Sequence, residues 1–232
     1  MLSCRIRASA YHFYVLPLSQ KLLLGFILLM IAIFVGQILS PEQFLTRASV
    51  PFEVESAWNE LCSGKAASSS WLTLSTLFTA ALLHGGWDHI LYNMIFLWVF
   101  AGLVGELLNS RWMFVIALTT AVCGSIGDLI LRQGSSIPCL GASGMVMGFE
   151  GAYLGLATRW SLPWPRIWPI AHPIPPIRLC ILAGIGFYFD ITGVIGPSSG
   201  TAHGAHLGGF LAGLFITAFI APAPKLSQPL SN

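Results

Sequence analysis

The chain has very few charged residues: only 9% of its 232 residues are Asp, Glu, Lys or Arg, whereas 55% are hydrophobic. Soluble domains carry about 25% charged residues, because charged side chains cover the surface that faces water. This composition excludes an ordinary soluble domain and predicts a polytopic membrane protein. The net charge of +2 is too small to indicate binding to nucleic acid or to an acidic partner.

Paired cysteines and metal-binding motifs are also missing. The five cysteines are scattered without CxxC spacing, so they predict neither a disulfide framework nor a zinc site, and we interpret them as small apolar residues in helix packing. No HExxH motif occurs, which argues against an intramembrane metalloprotease. The sequence has no inverted repeat of the kind on which many transporters are built. We therefore expect neither a metal ion nor a cofactor.

Long apolar runs are what the chain has instead. A bilayer core about 30 Å thick needs about 20 apolar residues per helix. The expected fold is therefore an all-α polytopic bundle of six transmembrane helices, of which the fourth is short. The predicted spans are residues 21–40, 87–107, 112–131, 143–158, 177–195 and 202–221.

The segments between the predicted spans differ in character. Residues 41–83 are too long for a turn and too hydrophobic to lie free in water, so we expect a partly folded first loop on the membrane surface. The proline-rich residues 163–176 cannot be helical throughout and predict a loop. Residues 1–20 form a short N-terminal segment and residues 222–232 a C-terminal tail.

The cations predict the orientation of the chain. With six spans, both termini lie on one side, together with most of the Lys and Arg residues; these are Arg5, Arg7, Lys21, Arg111, Arg159, Arg166, Arg178 and Lys225. The positive-inside rule therefore predicts that both termini are cytoplasmic. Short loops and bare spans favour a bacterial inner membrane as the location, with an organelle as the alternative.

Several polar residues lie in or next to the predicted spans, where a polar group costs free energy and is a functional candidate. His89 and Asn93 are four residues apart, so they share one face of the second helix, and His84 precedes them. The fourth helix begins at Ser143, and the sixth carries His206 near its start.

Small residues follow a helical spacing in the same two helices. In the fourth helix they are Gly144, Gly148, Gly151 and Gly155; in the sixth they are Gly204, Gly208 and Ala212, with Gly209 and Gly213 four apart beside them. Such stripes allow membrane helices to approach backbone to backbone. If the two stripes face each other, Ser143 and His206 lie at the same depth, and a hydrogen bond between them becomes geometrically plausible.

These residue types suit peptide hydrolysis. A serine hydroxyl attacks a carbonyl only when a base takes its proton, and histidine can accept that proton and return it to a leaving amine. Backbone N–H groups at the start of the fourth helix, with His89 and Asn93, could stabilise the oxyanion. Each pattern alone is weak: the sequence around Ser143 is not a G-x-S-x-G elbow, and the His-x4-His-x3-Asn spacing also fits an interhelical network or a metal site.

In combination, the motifs resemble those of rhomboid intramembrane serine proteases over about residues 20–221. The matching elements are His84-x4-His89-x3-Asn93, Gly141-Ala142-Ser143-Gly144 and Gly204-Ala205-His206. The resemblance implies a Ser143–His206 dyad without a third carboxylate. It also implies an oxyanion hole made by the Ser143 N–H, His89 and Asn93, with His84 supporting the site. By the same resemblance, residues 41–83 form a first loop that is embedded in the membrane. We expect Gly141 and Ala142 to allow close approach of a substrate backbone.

Some positions depart from the family pattern or are left over. Many rhomboids carry an aromatic residue four positions after the serine, packed on the catalytic histidine, where this chain has Met147. A thioether can also pack there. We interpret Glu106 as a structural anchor. We interpret Asp128, Glu150 and Asp190 as buried hydrogen-bonding or helix-end residues, with orientation of His206 by Asp190 as an alternative.

The leading functional hypothesis is a serine endopeptidase that cleaves transmembrane segments of membrane proteins within the lipid bilayer. The main alternative is a non-catalytic rhomboid-like protein that binds client helices. A small transporter or channel is a third hypothesis, supported only by the acidic residues at positions 128, 150 and 190.

Overall fold

The computed structural model describes residues 17–164, 174–196, 200–225 and 227–229, and helices make up most of this part of the chain. The nine α-helices found there are α1 (Leu18–Leu39), α2 (Pro41–Leu45), α3 (Pro51–Cys62), α4 (Ser68–Thr79), α5 (Trp87–Leu107), α6 (Ser110–Leu131), α7 (Ser143–Ala157), α8 (Pro176–Ile195) and α9 (His203–Phe215). A 3-10 turn covers Ala80–Leu82, and a π-helical turn at Ile216–Ile220 extends α9. Strands β1 (Trp160–Ser161) and β2 (Gln228–Pro229) form a short antiparallel pair in which Trp160 lies opposite Pro229.

Five of the described helices are long and apolar enough to cross a membrane: α1, α5, α6, α8 and α9 with its π-helical extension. Helix α7 has 15 residues, of which 12 are buried, and it packs against α5, α6, α8 and α9. The predicted all-α polytopic bundle is therefore confirmed, and the chain is an integral multi-pass membrane protein. The short helix that begins at Ser143 lies at its centre.

The outer helices expose many apolar side chains, as expected where lipid takes the place of water. Helix α8 shows this most clearly, because only Leu179, Ala183 and Asp190 of its 20 residues are buried. Leu179 and Ala183 are apolar, so the carboxylate of Asp190 is the buried polar group of α8.

Helices α7 and α9 are in backbone contact along their glycines. A Cβ added at Gly209 would overlap the carbonyl of Gly144, and one added at Gly213 would overlap the carbonyl of Gly148. A Cβ at Gly144 would lie 3.0 Å from the carbonyl oxygen of Ala205. The stripe of α7 therefore faces Gly209 and Gly213 of α9, and side chains at these positions would separate the two helices. Gly204 and Gly208 face α6 instead, where an added Cβ would lie 2.8 Å from the carbonyl oxygen of Gly127 and would overlap that of Cys123, respectively.

The first loop is more regular than the sequence suggested. Residues 41–83 form α2, α3, α4 and the 3-10 turn rather than a partly folded loop. Pro41 and Pro51 begin α2 and α3, where the missing N–H of proline costs no helical hydrogen bond. The Ser70 hydroxyl donates to Glu60 Oε2 at 2.5 Å and joins α4 to α3.

The first loop is also tied to the segment that leads into Ser143. The backbones of Ser49 and Cys139 pair in both directions, with N–O distances of 3.0 and 2.7 Å. The N–H of Phe52 donates to the carbonyl of Ser135 at 3.0 Å. These bonds hold residues 132–142 against the first loop and so help to fix where α7 begins.

Glu106 and Asp128 both have polar partners. Gln20 Nε2 donates to Glu106 Oε1, which joins α1 to the C-terminal end of α5. Asp128 forms an ion pair with Arg132 at the end of α6. Both residues therefore make structural contacts at helix ends. Parts of several predicted segments lie outside the described residues, namely 1–16, 165–173, 197–199, 226 and 230–232.

Candidate active site

Ser143 is the first residue of α7, and the turn before it depends on a glycine. Gly141 has a φ of +127°, in the region that L side chains rarely adopt, and its N–H donates to the carbonyl of Ala80 at 2.9 Å. The carbonyl of Ala142 already accepts from Val146 N–H at 2.9 Å. The N–H groups of the first turn, including that of Ser143, precede the first helical donor and are available to a ligand.

His206 lies in the first turn of α9, beside the start of α7. Gly144 lies against the carbonyl of Ala205, so the chain neighbours of Ser143 and His206 are in contact. Both side chains are half-buried. Within the described part of the chain, no hydrogen bond joins Ser143 Oγ to His206; in free enzymes such bonds are often long and shorten when substrate binds.

His89 presents an N–H group at the turn that precedes Ser143. Its Nδ1 accepts a hydrogen bond from Gly85 N–H at 3.2 Å, so the neutral ring carries its proton on Nε2. That Nε2 lies against Gly141, since a Cβ added there would be 2.6 Å away.

Asn93 is one helical turn beyond His89 and is 6% exposed. Its Nδ2 is buried, and no described residue accepts a hydrogen bond from it. A buried amide donor without a partner costs about 1–3 kcal/mol, so it is uncommon unless a ligand supplies the acceptor. The amide is therefore suited to bind an oxygen atom of a substrate.

The ring of His84 contacts the ring of His89. His84 is 3% exposed, and the two rings meet edge to face, with centroids 5.4 Å apart. Burial, and then the nearby His89, lower the pKa of His84 to about 4, so the ring is neutral at physiological pH. Gln37 of α1 pairs with the backbone of His84, accepting from its N–H at 3.0 Å and donating to its carbonyl at 3.3 Å.

Sequence reasoning did not identify Gln37. The available signal was a single amide side chain within the apolar first span, where an unpaired polar group would be costly. Gln37 connects α1 to the segment that carries His84, because its side-chain amide bonds the backbone of His84.

Asp190 brings a carboxylate to His206. It is 5% exposed on α8, and its Oδ1 lies 2.7 Å from Nδ1 of His206 and 2.7 Å from Nδ1 of His203. The family resemblance implies a dyad without a carboxylate, whereas in the structure the carboxylate of Asp190 lies beside His206. The ligand atoms of these three residues lie within 4.8 Å of one another, and two imidazoles with a carboxylate are a donor set that zinc accepts.

Met147 and Glu150 both lie on α7 near α8. Met147 packs with Ala183 of α8 and Phe210 of α9 in a small apolar cluster. Glu150 is 4% exposed and approaches Gly186, where an added Cβ would be 3.3 Å from its Oε2. Support of His206 by Met147 stays a prediction, because Met147 packs on Ala183 and Phe210.

Comparison with known proteins indicates the family of this chain. A family model described as the Rhomboid domain matches residues 72–223, which include every predicted site residue. The rhomboid protease GluP of Bacillus subtilis is 30% identical over 144 residues, which cover 61% of this chain and 25% of that protein.

Two eukaryotic relatives are similar at the same level. The chloroplastic Rhomboid-like protein 11 of Arabidopsis thaliana is 27% identical over 155 residues, covering 65% of this chain and 54% of the relative. The mitochondrial Rhomboid protein 1 of Saccharomyces cerevisiae is 26% identical over 153 residues, covering 64% of this chain and 42% of that relative. This chain thus spans from a quarter to about half of the length of these relatives. Because the family model matches more than half of the chain, the resemblance is confirmed: the chain belongs to the rhomboid family.

Proposed function

We propose that the protein is an intramembrane serine endopeptidase that cleaves transmembrane segments of membrane proteins. Ser143 is the nucleophile, and His206 is the general base and acid. The observation that carries the proposal is the backbone contact of Gly144 with Ala205, which are the chain neighbours of Ser143 and His206 at the starts of α7 and α9. Family membership and a relative named as a protease support the same reaction.

The reaction proceeds in two halves. His206 Nε2 takes the proton from Ser143 Oγ as the oxygen attacks the scissile carbonyl carbon. The tetrahedral intermediate collapses, the C–N bond breaks, and His206 gives the proton to the leaving amine. Water then attacks the acyl-enzyme with His206 again as base, and the C–Oγ bond breaks to release the acid and restore the hydroxyl.

The oxyanion is stabilised by three donors: the N–H of Ser143, the Nε2–H of His89 and the Nδ2–H of Asn93. The tautomer of His89 supports this role, because Gly85 occupies its Nδ1. The unpartnered Nδ2 of Asn93 supports it independently. Donors held in place before the reaction stabilise developing charge without reorganisation, and each is worth about 10²–10³ in kcat.

The substrate is a transmembrane helix whose backbone is locally unwound, because a helical peptide bond is shielded by its own turns. It reaches Ser143 within the lipid bilayer, and the reaction uses no cofactor. Both termini of the protease are cytoplasmic, and a bacterial inner membrane is the proposed location. The distribution of Lys and Arg supports this orientation.

The test is cleavage of a single-span model substrate by the purified protein in liposomes. Wild type should release two fragments, whereas Ser143→Ala should release none while retaining the thermal unfolding temperature of wild type. A non-catalytic client-binding protein would bind the substrate and leave it intact. Cleavage by Ser143→Ala at the rate of wild type would refute the proposal.

A further inference from the structure

The cluster formed by Asp190, His203 and His206 is not explained by a two-residue mechanism. The carboxylate of Asp190 is 7% exposed at the side chain and belongs to a different helix from the two histidines. One oxygen, Oδ1, lies 2.7 Å from the Nδ1 atoms of both rings. A buried carboxylate in an apolar helix is costly and is retained where its hydrogen bonds matter.

We propose that Asp190 is a positioning residue for catalysis, which fixes the tautomer and the ring plane of His206. The inference rests on the proposed function. It makes the site a chain of three groups, Ser143, His206 and Asp190, contributed by α7, α9 and α8.

The tautomer follows from the chemistry of the partner. A carboxylate oxygen only accepts hydrogen bonds, so His206 presents Nδ1–H to Asp190. Its Nε2 then carries the lone pair that takes the proton of Ser143. Without the carboxylate, neutral His206 can also hold its proton on Nε2, a form in which that nitrogen cannot act as a base.

The ring plane of His206 also depends on Asp190. Among the described residues, the contact with Asp190 is the one hydrogen bond made by the His206 side chain. The position at which many rhomboids have an aromatic residue is Met147, which packs with Ala183 and Phe210. A directional bond to Asp190 therefore orients a ring that is only half-buried.

His203 holds the carboxylate in place from the other side. Its ring lies against α8 at Gly193, where an added Cβ would be 2.7 Å from Nδ1. It meets the His206 ring edge to face, with centroids 6.2 Å apart. The bonds from Asp190 to both histidines therefore join α8 to α9.

The test is Asp190→Asn in the full chain, with kcat and KM measured on the single-span substrate in liposomes. We expect kcat to fall by about 10- to 1,000-fold with KM within about twofold of wild type, because substrate binding does not use this group. Asp190→Glu, which keeps the carboxylate, should recover at least part of the kcat lost in Asp190→Asn. Wild-type activity should be unchanged by EDTA.

A matched control is Asp128→Asn, which makes the same change at a buried carboxylate whose partner is Arg132. It should lower the thermal unfolding temperature and leave kcat within about threefold of wild type. A loss of kcat as large as that of Asp190→Asn would show a general effect of buried carboxylates and would contradict the proposal.

The remaining outcomes separate the two proposals. If wild type does not cleave and Ser143 does not react with a fluorophosphonate, the proposed function fails, and the role of Asp190 fails with it. If wild type cleaves, Ser143→Ala does not, and Asp190→Asn keeps full kcat, only the role of Asp190 is refuted. Asp190→Glu as inactive as Asp190→Asn would contradict it as well. Loss of wild-type activity in EDTA would assign the cluster to a metal ion and would also overturn it.

Discussion

The imidazole of His89 lies directly against the backbone of Gly141. A Cβ added at Gly141 would be 2.5 Å from Cε1 and 2.6 Å from Nε2 of that ring. Gly141 also has a φ of +127°, so two independent constraints require glycine at this position. This contact joins His89 of α5 to the turn that precedes Ser143.

Replacement of Gly141 by alanine should therefore impair the enzyme. The backbone must leave its conformation and the His89 ring must move, so we expect kcat to fall at least about 100-fold and stability to fall by about 1–3 kcal/mol. Gly25→Ala is the control, because a Cβ there meets nothing within 4 Å. Substrate cleavage and thermal unfolding measure both effects; Gly141→Ala with the kcat of Gly25→Ala would contradict this account.

Asn93→Ala should separate activity from stability. Because Asn93 Nδ2 has no partner among the described residues, its loss should reduce kcat by about 10²–10³ without lowering the unfolding temperature. Asn109→Ala provides the contrast, since Asn109 Oδ1 caps α6 by accepting from Trp112 N–H at 3.1 Å. That variant should lose about 1 kcal/mol of stability and retain kcat. Destabilisation by Asn93→Ala would indicate that the amide has a structural partner.

The contact of α7 with α9 should not tolerate a methyl group. A Cβ at Gly209 would overlap the carbonyl of Gly144, so Gly209→Ala should separate the helices and cost about 1–3 kcal/mol together with most of the activity. Gly184→Ala on α8, where a Cβ meets nothing within 4 Å, should behave as wild type. Equal unfolding temperatures of the two variants would show that the contact is not tight.

His84 should make the protein sensitive to acid. Its pKa is about 4 in the folded chain and 6.5 in the unfolded chain, because burial disfavours the charged ring. Below pH 6.5 the unfolded state therefore binds a proton that the folded state does not. The stability that depends on the neutral His84 ring is fully present above pH 6.5. Up to about 3 kcal/mol of it is lost as the pH falls toward 4.

The measurement is the unfolding temperature of wild type and of His84→Phe between pH 7 and pH 4. Phenylalanine keeps an aromatic ring against Phe34 and His89 but does not titrate. The variant should show a smaller decrease with falling pH than wild type. Parallel decreases for the two proteins would show that His84 does not contribute to acid sensitivity.

Local signals in the sequence were enough to predict the helices that carry the candidate site residues. The apolar run after Gly86 predicted the helix that carries His89 and Asn93, and the structure begins that helix at Trp87. The glycine spacing indicated that the helices of Ser143 and His206 could meet, since only small side chains permit such an approach, and Gly209 and Gly213 make that contact. Both inferences depend on residues within one helical turn of each other.

Contacts between distant segments could not be read in the same way. The sequence shows that Asp190 lies in an apolar helix, but not how that helix is rotated, and rotation decides whether the carboxylate meets His206. The hydrogen bonds of Gln37 could not be predicted for the same reason, because its partner His84 is 47 residues away in the chain. The short helices of the first loop were missed because each has fewer than 13 residues and lacks the length by which a span is recognised.

The central claim is that Ser143 is a nucleophile activated by His206. Its most direct test is reaction of the intact protein in membranes with a fluorophosphonate, with the modified residue located by mass spectrometry. The account predicts a covalent adduct on Ser143 in wild type and none in Ser143→Ala or His206→Ala. Cleavage of substrate without an adduct on Ser143, or full labelling of His206→Ala, would contradict it.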